Sequence, residues 1–503
     1  MTRVVMEPQT KFGEINIADI KFHPKCRDDI PKILKGLQYI YVTPELRQTI
    51  FSLLEQHILP KVNKQNGRPG MALWKILVMG VLRLDLNCDV DRLQELVNHH
   101  STIRQMLGHG LFDENDMYEV QTIKDNVDLL TPELLDLINQ EIVKAGHKLL
   151  KKKDTEALRG RCDSFVLKTN VHFPTDINLL FDAVRKAIEL VARLSEQQGL
   201  TEWRQSKHNI KQAKRLMRQA QQKKRARGKT EEQTQKHKKA LIKAHKEYID
   251  VVGGYLDKVT ATIKTLENQS NLSMTELTMV ETIKGFVVHG NRQVDQIERR
   301  VVYGKAIPHE EKVFSLFQPH TEWISKGKAG VPVELGVRVC IVEDQHQFIL
   351  HHRVMEKQTD KDVAVPIIRE TKMRFKQLKS CSFDKGFHSP KNQQQLGETL
   401  DVVGLKRKGK LSKEAQAIES SEEFCIAQKK HSAVESAINA LTVHGLDRCP
   451  DSGIEGLKRY VALAIVARNI HRIGDILTKR EQKAAARKRQ QYLTRDGALK
   501  LAA

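Results

Sequence analysis

The chain has 503 residues, more than a single hydrophobic core organises, so two or three structural units are expected. Its 84 lysines and arginines against 62 aspartates and glutamates give a formal charge of +22, which points to a polyanionic partner because each neutralised phosphate releases condensed counterions. A mean hydropathy of -0.47 and the lack of any apolar run of about 18 residues argue against a membrane-spanning helix. The N-terminus has no apolar signal core, so a cytoplasmic protein is expected.

Seven cysteines (Cys26, Cys88, Cys162, Cys340, Cys381, Cys425, Cys449) are scattered and form no C-x-x-C pair. Neither a zinc ribbon nor a disulfide framework is supported, and reduced, mostly buried thiols are expected.

In chain order, residues 1 to 60 are mixed until Thr43-Pro44-Glu45, which starts a helix through Leu53 and Leu54. Gly67 to Gly70 reads as a loop. From Leu73 to His99 the spacing of Ile76, Leu77, Leu84, Leu93 and Leu96 predicts one long helical region. Thr131 then caps a helix that begins at Pro132. Small helices in a basic chain suit a helical DNA-binding domain over 1–155, although a plain packing domain reads almost as well.

At Arg161 the texture changes. Cys162 to Leu167 reads as a strand, placed within a first piece of the core over 156–177. From Asn178 to about Glu298 the chain is helical, a basic insertion over 178–310. Lys211, Lys214, Arg215, Arg218, Lys223, Lys224 and Arg225 crowd its first part, and Gly228 to Glu231 breaks it into a hairpin of two helices. These cations are read as phosphate contacts; a solvated charged face is the alternative.

The remainder of the core is placed over 311–479. Val333 to Val342 and Gln347 to Val354 predict a hairpin, followed by a helix from Asp362 to Leu378 and a short strand ending at Asp384. A helix from Pro390 to Leu400, a strand at Val402 to Gly404, and helices at Ser432 to His444 and Gly456 to Leu477 complete it. Only one helix and one strand are expected between Asp384 and Glu435. A basic tail is placed over 480–503.

Without the insertion, the order strand-strand-strand-helix-strand-helix-strand-helix is that of a ribonuclease-H-like α/β core, with an all-α N-terminal domain and a long helical insertion after the first strand. Such a fold gives three acids a meaning. Asp163 sits in an apolar strand, where a carboxylate must be paired or hold a cation. Asp384 ends a strand on the side that faces the crevice, and Glu435 lies on a helix laid against the sheet. Converging carboxylates repel unless cations intervene, and hard oxygen ligands suit Mg²⁺ or Mn²⁺. Two such ions about 3.5 to 4 Å apart can drive in-line attack on a phosphodiester. By spacing alone the triple is weakly marked, since 62 acids offer many triples.

Three segments carry a resemblance. Residues 161–180 (RCDSFVLKTNVHFPTDINLL) resemble the first catalytic block of DDE insertion-sequence transposases, an aspartate strand followed by Pro-Thr-Asp and Leu-Leu. Residues 382–389 (SFDKGFHS) resemble the second block, and residues 431–448 (HSAVESAINALTVHGLDR) the third, in which the glutamate helix precedes a Gly-Leu-x-Arg loop. Residues 466–472 around Asn469 look like that family's last helix. The resemblance is closest to the ISNCY group and covers most of the chain past residue 60.

It implies a metal-dependent transposase that cleaves transposon-end DNA and joins it to target DNA, with Asp163, Asp384 and Glu435 as catalytic ligands of two Mg²⁺ or Mn²⁺ ions. It further implies double-stranded DNA (terminal inverted repeats and target) as partner, a homodimer or higher assembly on DNA, and a bacterial, nucleoid-associated location. Many relatives carry Tyr, Arg and Lys at spacings that fall here on Gln428, His431 and Thr442; Lys429 and Lys430, with His431, are the candidates to contact phosphate instead. His388 is read as a packing residue or a substrate contact, and His444 as a helix-end residue. The other functional classes are a non-catalytic basic DNA-binding protein and a nuclease of the same fold without joining activity.

Overall fold

The computed structural model describes the chain except residues 1–3, 7–12, 24, 60–69, 111–112, 114–115, 154, 226–229, 269–271, 326–331 and 502–503, and except the side chains of 225 and 492–501. It is a mixed α/β structure in two compact units, residues 1–170 with 324–503, and residues 171–323. Among the described residues no helix is long and apolar enough to cross a membrane.

The first unit opens with α1 (Ile30–Val42), α2 (Pro44–Ile58), α3 (Leu73–Asp85), α4 (Val90–His99), α5 (Ser101–Met106), α6 (Val120–Val127) and α7 (Pro132–Leu149). Helix α1 was not foreseen, yet Ile33, Leu34, Leu37 and Ile40 are fully buried at helical spacing. The helical region expected from Leu73 to His99 consists of two helices. Asn87 takes a left-handed φ of 46°, and the Asp89 side chain caps α4 by accepting from the Arg92 N–H. Thr131 caps α7 as expected. The loop expected at 67–70 lies outside the described residues save Gly70.

Strand β1 (Leu158–Thr169) starts four residues before the expected Cys162. The second unit follows with α8 (Asp176–Gln197), α9 (Ser206–Arg225), α10 (Glu231–Glu267) and α11 (Met274–Ile297). Its core is its own: Leu180, Val184, Ile188 and Val191 of α8 pack with Trp203, Tyr248, Val252 and Ile283. The break between α9 and α10 falls where a hairpin tip was expected, but 226–229 are outside the described residues.

The chain then forms β2 (Glu322–Ser325), β3 (Val333–Glu343), β4 (Ile349–Met355), α12 (Asp360–Arg374), β5 (Leu378–Phe383), α13 (Pro390–Thr399) and β6 (Val402–Leu405). It ends with α14 (Lys413–Glu419), α15 (Glu422–Lys429), α16 (Ala433–Leu441), β7 (Arg448–Cys449) and α17 (Gly453–Leu501). The gap between Asp384 and Glu435 therefore holds three helices and a strand, not one of each. Helix α17 runs on through the segment expected as a tail.

One mixed sheet of seven strands organises the first unit. Strand β1 lies between β3, antiparallel, and β5, parallel; β4 pairs antiparallel with β3, and β6 extends the sheet parallel to β5. The N-terminal helices share a continuous core with this sheet and with α17. Asn469 of α17, fully buried, locks the helix to β4: its amide accepts from the Ile349 N–H at 3.0 Å and donates to the Ile349 carbonyl at 2.9 Å and to Asn139 Oδ1 at 2.7 Å.

Candidate active site

The register of β1 with β5 sets the two aspartates side by side. Arg161 pairs with Ser382 and Cys162 with Phe383, so the next residue along each chain is Asp163 and Asp384. Neighbouring strands lie about 4.8 Å apart. Alternation along β1 puts Cys162 on the opposite face, its Sγ 3.5 Å from Cys340 Sγ in the core, while Arg161 and Asp163 share the other. Helix α16 packs on β1 through buried Val434, Ala437 and Leu441, leaving Glu435 exposed in its first turn.

Electrostatics report the convergence. Burial pushes the Asp163 carboxyl up to about 6, and the charges of Asp384, Asp360 and Glu435 push in the same direction, against a 2.7 Å hydrogen bond from the Ser164 N–H. Among the described residues no lysine or arginine pairs with any of these four acids. The three expected carboxylates thus share one neighbourhood and lack a compensating side chain.

Asp360 is the member that the sequence did not reveal. It opens α12, an ordinary place for an acid, and its position depends on the return of the chain from β4. Ser164 Oγ donates to Asp360 Oδ1 at 2.6 Å. Asp384 ends β5 and caps a short turn, accepting from the Gly386 N–H at 3.3 Å. A side chain at Gly386 would place its Cβ 3.2 Å from Asp360 Oδ2 and 3.4 Å from Asp384 Oδ2. The missing Cβ keeps the space between these carboxylates open.

Beside the acids lies a groove of about 740 Å³ whose lining includes Arg159, Arg161, Ser382, Lys429 and Lys430. Arg161 is held by a 2.6 Å bond to the Asp344 carbonyl and pairs with buried Glu343 at 3.5 Å. His431 stands where groove and acids meet, its Nδ1 3.1 Å from Ser382 Oγ. Burial holds its pKa below the ordinary histidine value, opposed by the charges of Asp384 and Glu435. Lys429 and Lys430 line this groove, and His431 lies within reach of the charges of Asp384 and Glu435. The two residues missed on this face, Arg161 and Ser382, had a sequence signal: each precedes an expected aspartate by two positions, the strand period.

On the second unit, Lys211, Lys214, Arg215 and Arg218 line an open depression along α9, whose Ile210, Ala213, Leu216, Met217 and Ala220 turn into the core. Lys223 and Lys224 are exposed, and the Arg225 side chain lies outside the described residues.

His388 is buried and its Nδ1 accepts from the Lys408 N–H at 3.4 Å. Among the described residues, the tightest groupings of possible metal ligands are elsewhere: Asp85 with His444 and His471, and His109 with Asp113 and Asp116, each with ligand atoms within 4.8 Å of one another. Internal bonds occupy both. His471 Nδ1 sits 2.9 Å from Asp85 Oδ1, His444 bonds the Asp85 carbonyl, and His109 Nε2 lies 2.6 Å from the Tyr118 hydroxyl. His444 does close a helical segment, at a kink where Gly445 has φ 103°.

Scans of family models, curated proteins and solved structures return no match to this chain.

Proposed function

We propose that this chain is a DDE insertion-sequence transposase of the ISNCY-like kind, cutting transposon-end DNA and joining it to a target. The observation that carries the reading is the meeting of Asp163, Asp384 and Glu435. They come from three distant segments singled out by local resemblance, and they lie close enough for Asp384 and Glu435 to raise the Asp163 pKa. The strand order β4-β3-β1-β5-β6, with its first three members antiparallel and its last three parallel, supports a ribonuclease-H-like core.

The donor set fits divalent metal. Four carboxylates with no basic partner among the described residues supply hard, negative oxygens, the preference of Mg²⁺ or Mn²⁺. Asp163, Asp384 and Glu435 would hold the ions, with Asp360 beside them. When bound, such ions activate a water or a 3′-hydroxyl and offset the charge that develops on the phosphodiester. The chain's own residues do the rest. Lys429, Lys430 and Arg159 give the groove the positive charge that seats a phosphate backbone next to the acids. Burial keeps His431 neutral near pH 7, so it acts there as a hydrogen-bonding group rather than a fixed cation.

The substrate is double-stranded DNA carrying terminal inverted repeats, and two ends must be handled together, which calls for at least a dimer on DNA. The test supplies the repeats that flank this gene, with Mg²⁺ or Mn²⁺, and follows cleavage and then joining of a pre-cut end. Cleavage without joining identifies a nuclease, and binding without cleavage a DNA-binding protein.

A further inference from the structure

The second unit holds a cavity of about 660 Å³ that the reading above leaves unused. Its wall is aromatic. Phe314 and Trp323 lie 5.7 Å apart between ring centres and 34° from parallel, and Phe173 meets Trp323 edge-on at 5.6 Å. Burial of these rings is incomplete: Phe173 is 59% exposed, and Tyr303, also lining the cavity, is 68% exposed. Solvent-facing rings gathered at one cavity call for an occupant.

The charged part of the lining is mostly basic. Lys224, Lys238, Arg300 and Lys312 face one carboxylate, Asp176, which pairs with Arg300 at 2.8 Å. His245 also lines the cavity; its Nδ1 bonds the Leu241 carbonyl at 2.8 Å, so its neutral ring offers Nε2 as an acceptor. A purely apolar ligand would not need the cations, and a simple anion would not need the rings. An unpaired nucleotide needs both, because every base has a face to stack and every link a phosphate. The volume lies within the range of about 300 to 1,000 Å³ typical of small-ligand sites, and a base still paired within a duplex could not enter.

We propose that this cavity receives one unpaired nucleotide of a DNA strand, the base held among the rings of Phe173, Tyr303, Phe314 and Trp323 and the phosphate among the rim cations. It is a second DNA contact, separate from the acidic site, and it rests on the reading that the chain acts on DNA.

The test uses the full-length Asp163→Asn protein, to prevent cutting, and two duplexes, one fully paired and one carrying a single bulged 2-aminopurine. The bulged duplex should bind about fivefold tighter or more, the lower end of what base stacking supplies, with its fluorescence quenched. Phe173→Ala with Tyr303→Ala removes two largely exposed rings. It should abolish both effects while leaving paired-duplex affinity and the circular dichroism spectrum unchanged. Equal affinity for the two duplexes with an unquenched probe, or a preference untouched by the double substitution, overturns the proposal. Neither result bears on metal-dependent cutting by the unsubstituted protein, so the two readings fail separately.

Discussion

Asp163 holds its proton to about pH 6, where an ordinary aspartate has lost it by 3.8. The sign follows from linkage: the folded state binds this proton more tightly than the unfolded state. Its contribution to stability is fully present below about pH 3.8 and is lost as pH rises through about 6. In the metal-free protein at pH 7.5, Asp163→Asn should therefore stabilise by about 1 to 2 kcal/mol, after discounting for solvent screening, and the gain over wild type should vanish near pH 4. Denaturant titrations at both pH values check this. A divalent ion competes for the same oxygens, so Mn²⁺ affinity measured by calorimetry should strengthen as pH rises from 5 to 7. Asp360→Asn removes one of the charges that raise the Asp163 pKa, and the midpoint of that pH dependence should move down. Gly386→Ala should reduce metal-dependent cleavage tenfold or more while the fold survives, because the new Cβ enters the space between two carboxylates.

Among the elements, the last helix and the hairpin strand β4 share the most constrained polar contact. Replacing Asn469 by Leu leaves the Ile349 N–H and Asn139 Oδ1 without their buried partner, while the Ile349 carbonyl keeps the Asn139 amide at 3.2 Å. It should cost about 2 to 4 kcal/mol in urea unfolding, with activity lost only through stability. The strands that frame the acids were legible because short runs such as Cys162 to Leu167 are rich in apolar and β-branched or aromatic residues, and helix α7 because Thr131 is a strong cap. Helices α14 and α15 were not: each buries one apolar residue, Ala415 or Phe424, too little to raise a 3.6-residue period. Helix α1 does carry such a period, in Ile33, Leu34, Leu37 and Ile40. Asp360 had no local mark at all, since only the path of the chain through β3 and β4 brings it to Ser164. The acids could be named from local sequence; that they share one neighbourhood is a property of sheet register.

Across the whole molecule, the charge of +22 is the feature most open to solution tests. Lys211, Arg215 and Arg218 along α9 are open to solvent, so changing all three to Glu should weaken duplex binding and flatten its salt dependence by about 0.9 in log-log slope for each phosphate that is no longer neutralised. Paired-duplex titrations over a range of NaCl concentrations measure that slope. The central claim is that Asp163, Asp384 and Glu435 form one metal-dependent centre that cuts DNA. It is tested most directly by incubating the protein with Mg²⁺ or Mn²⁺ and DNA bearing the flanking inverted repeats, alongside Asp163→Asn, Asp384→Asn and Glu435→Gln. The account predicts cleavage at the repeat ends that needs the metal and falls at least about a hundredfold in each variant while DNA binding persists, as expected for groups that act as a unit. Cleavage that proceeds without metal, or unchanged in Asp163→Asn, would contradict it.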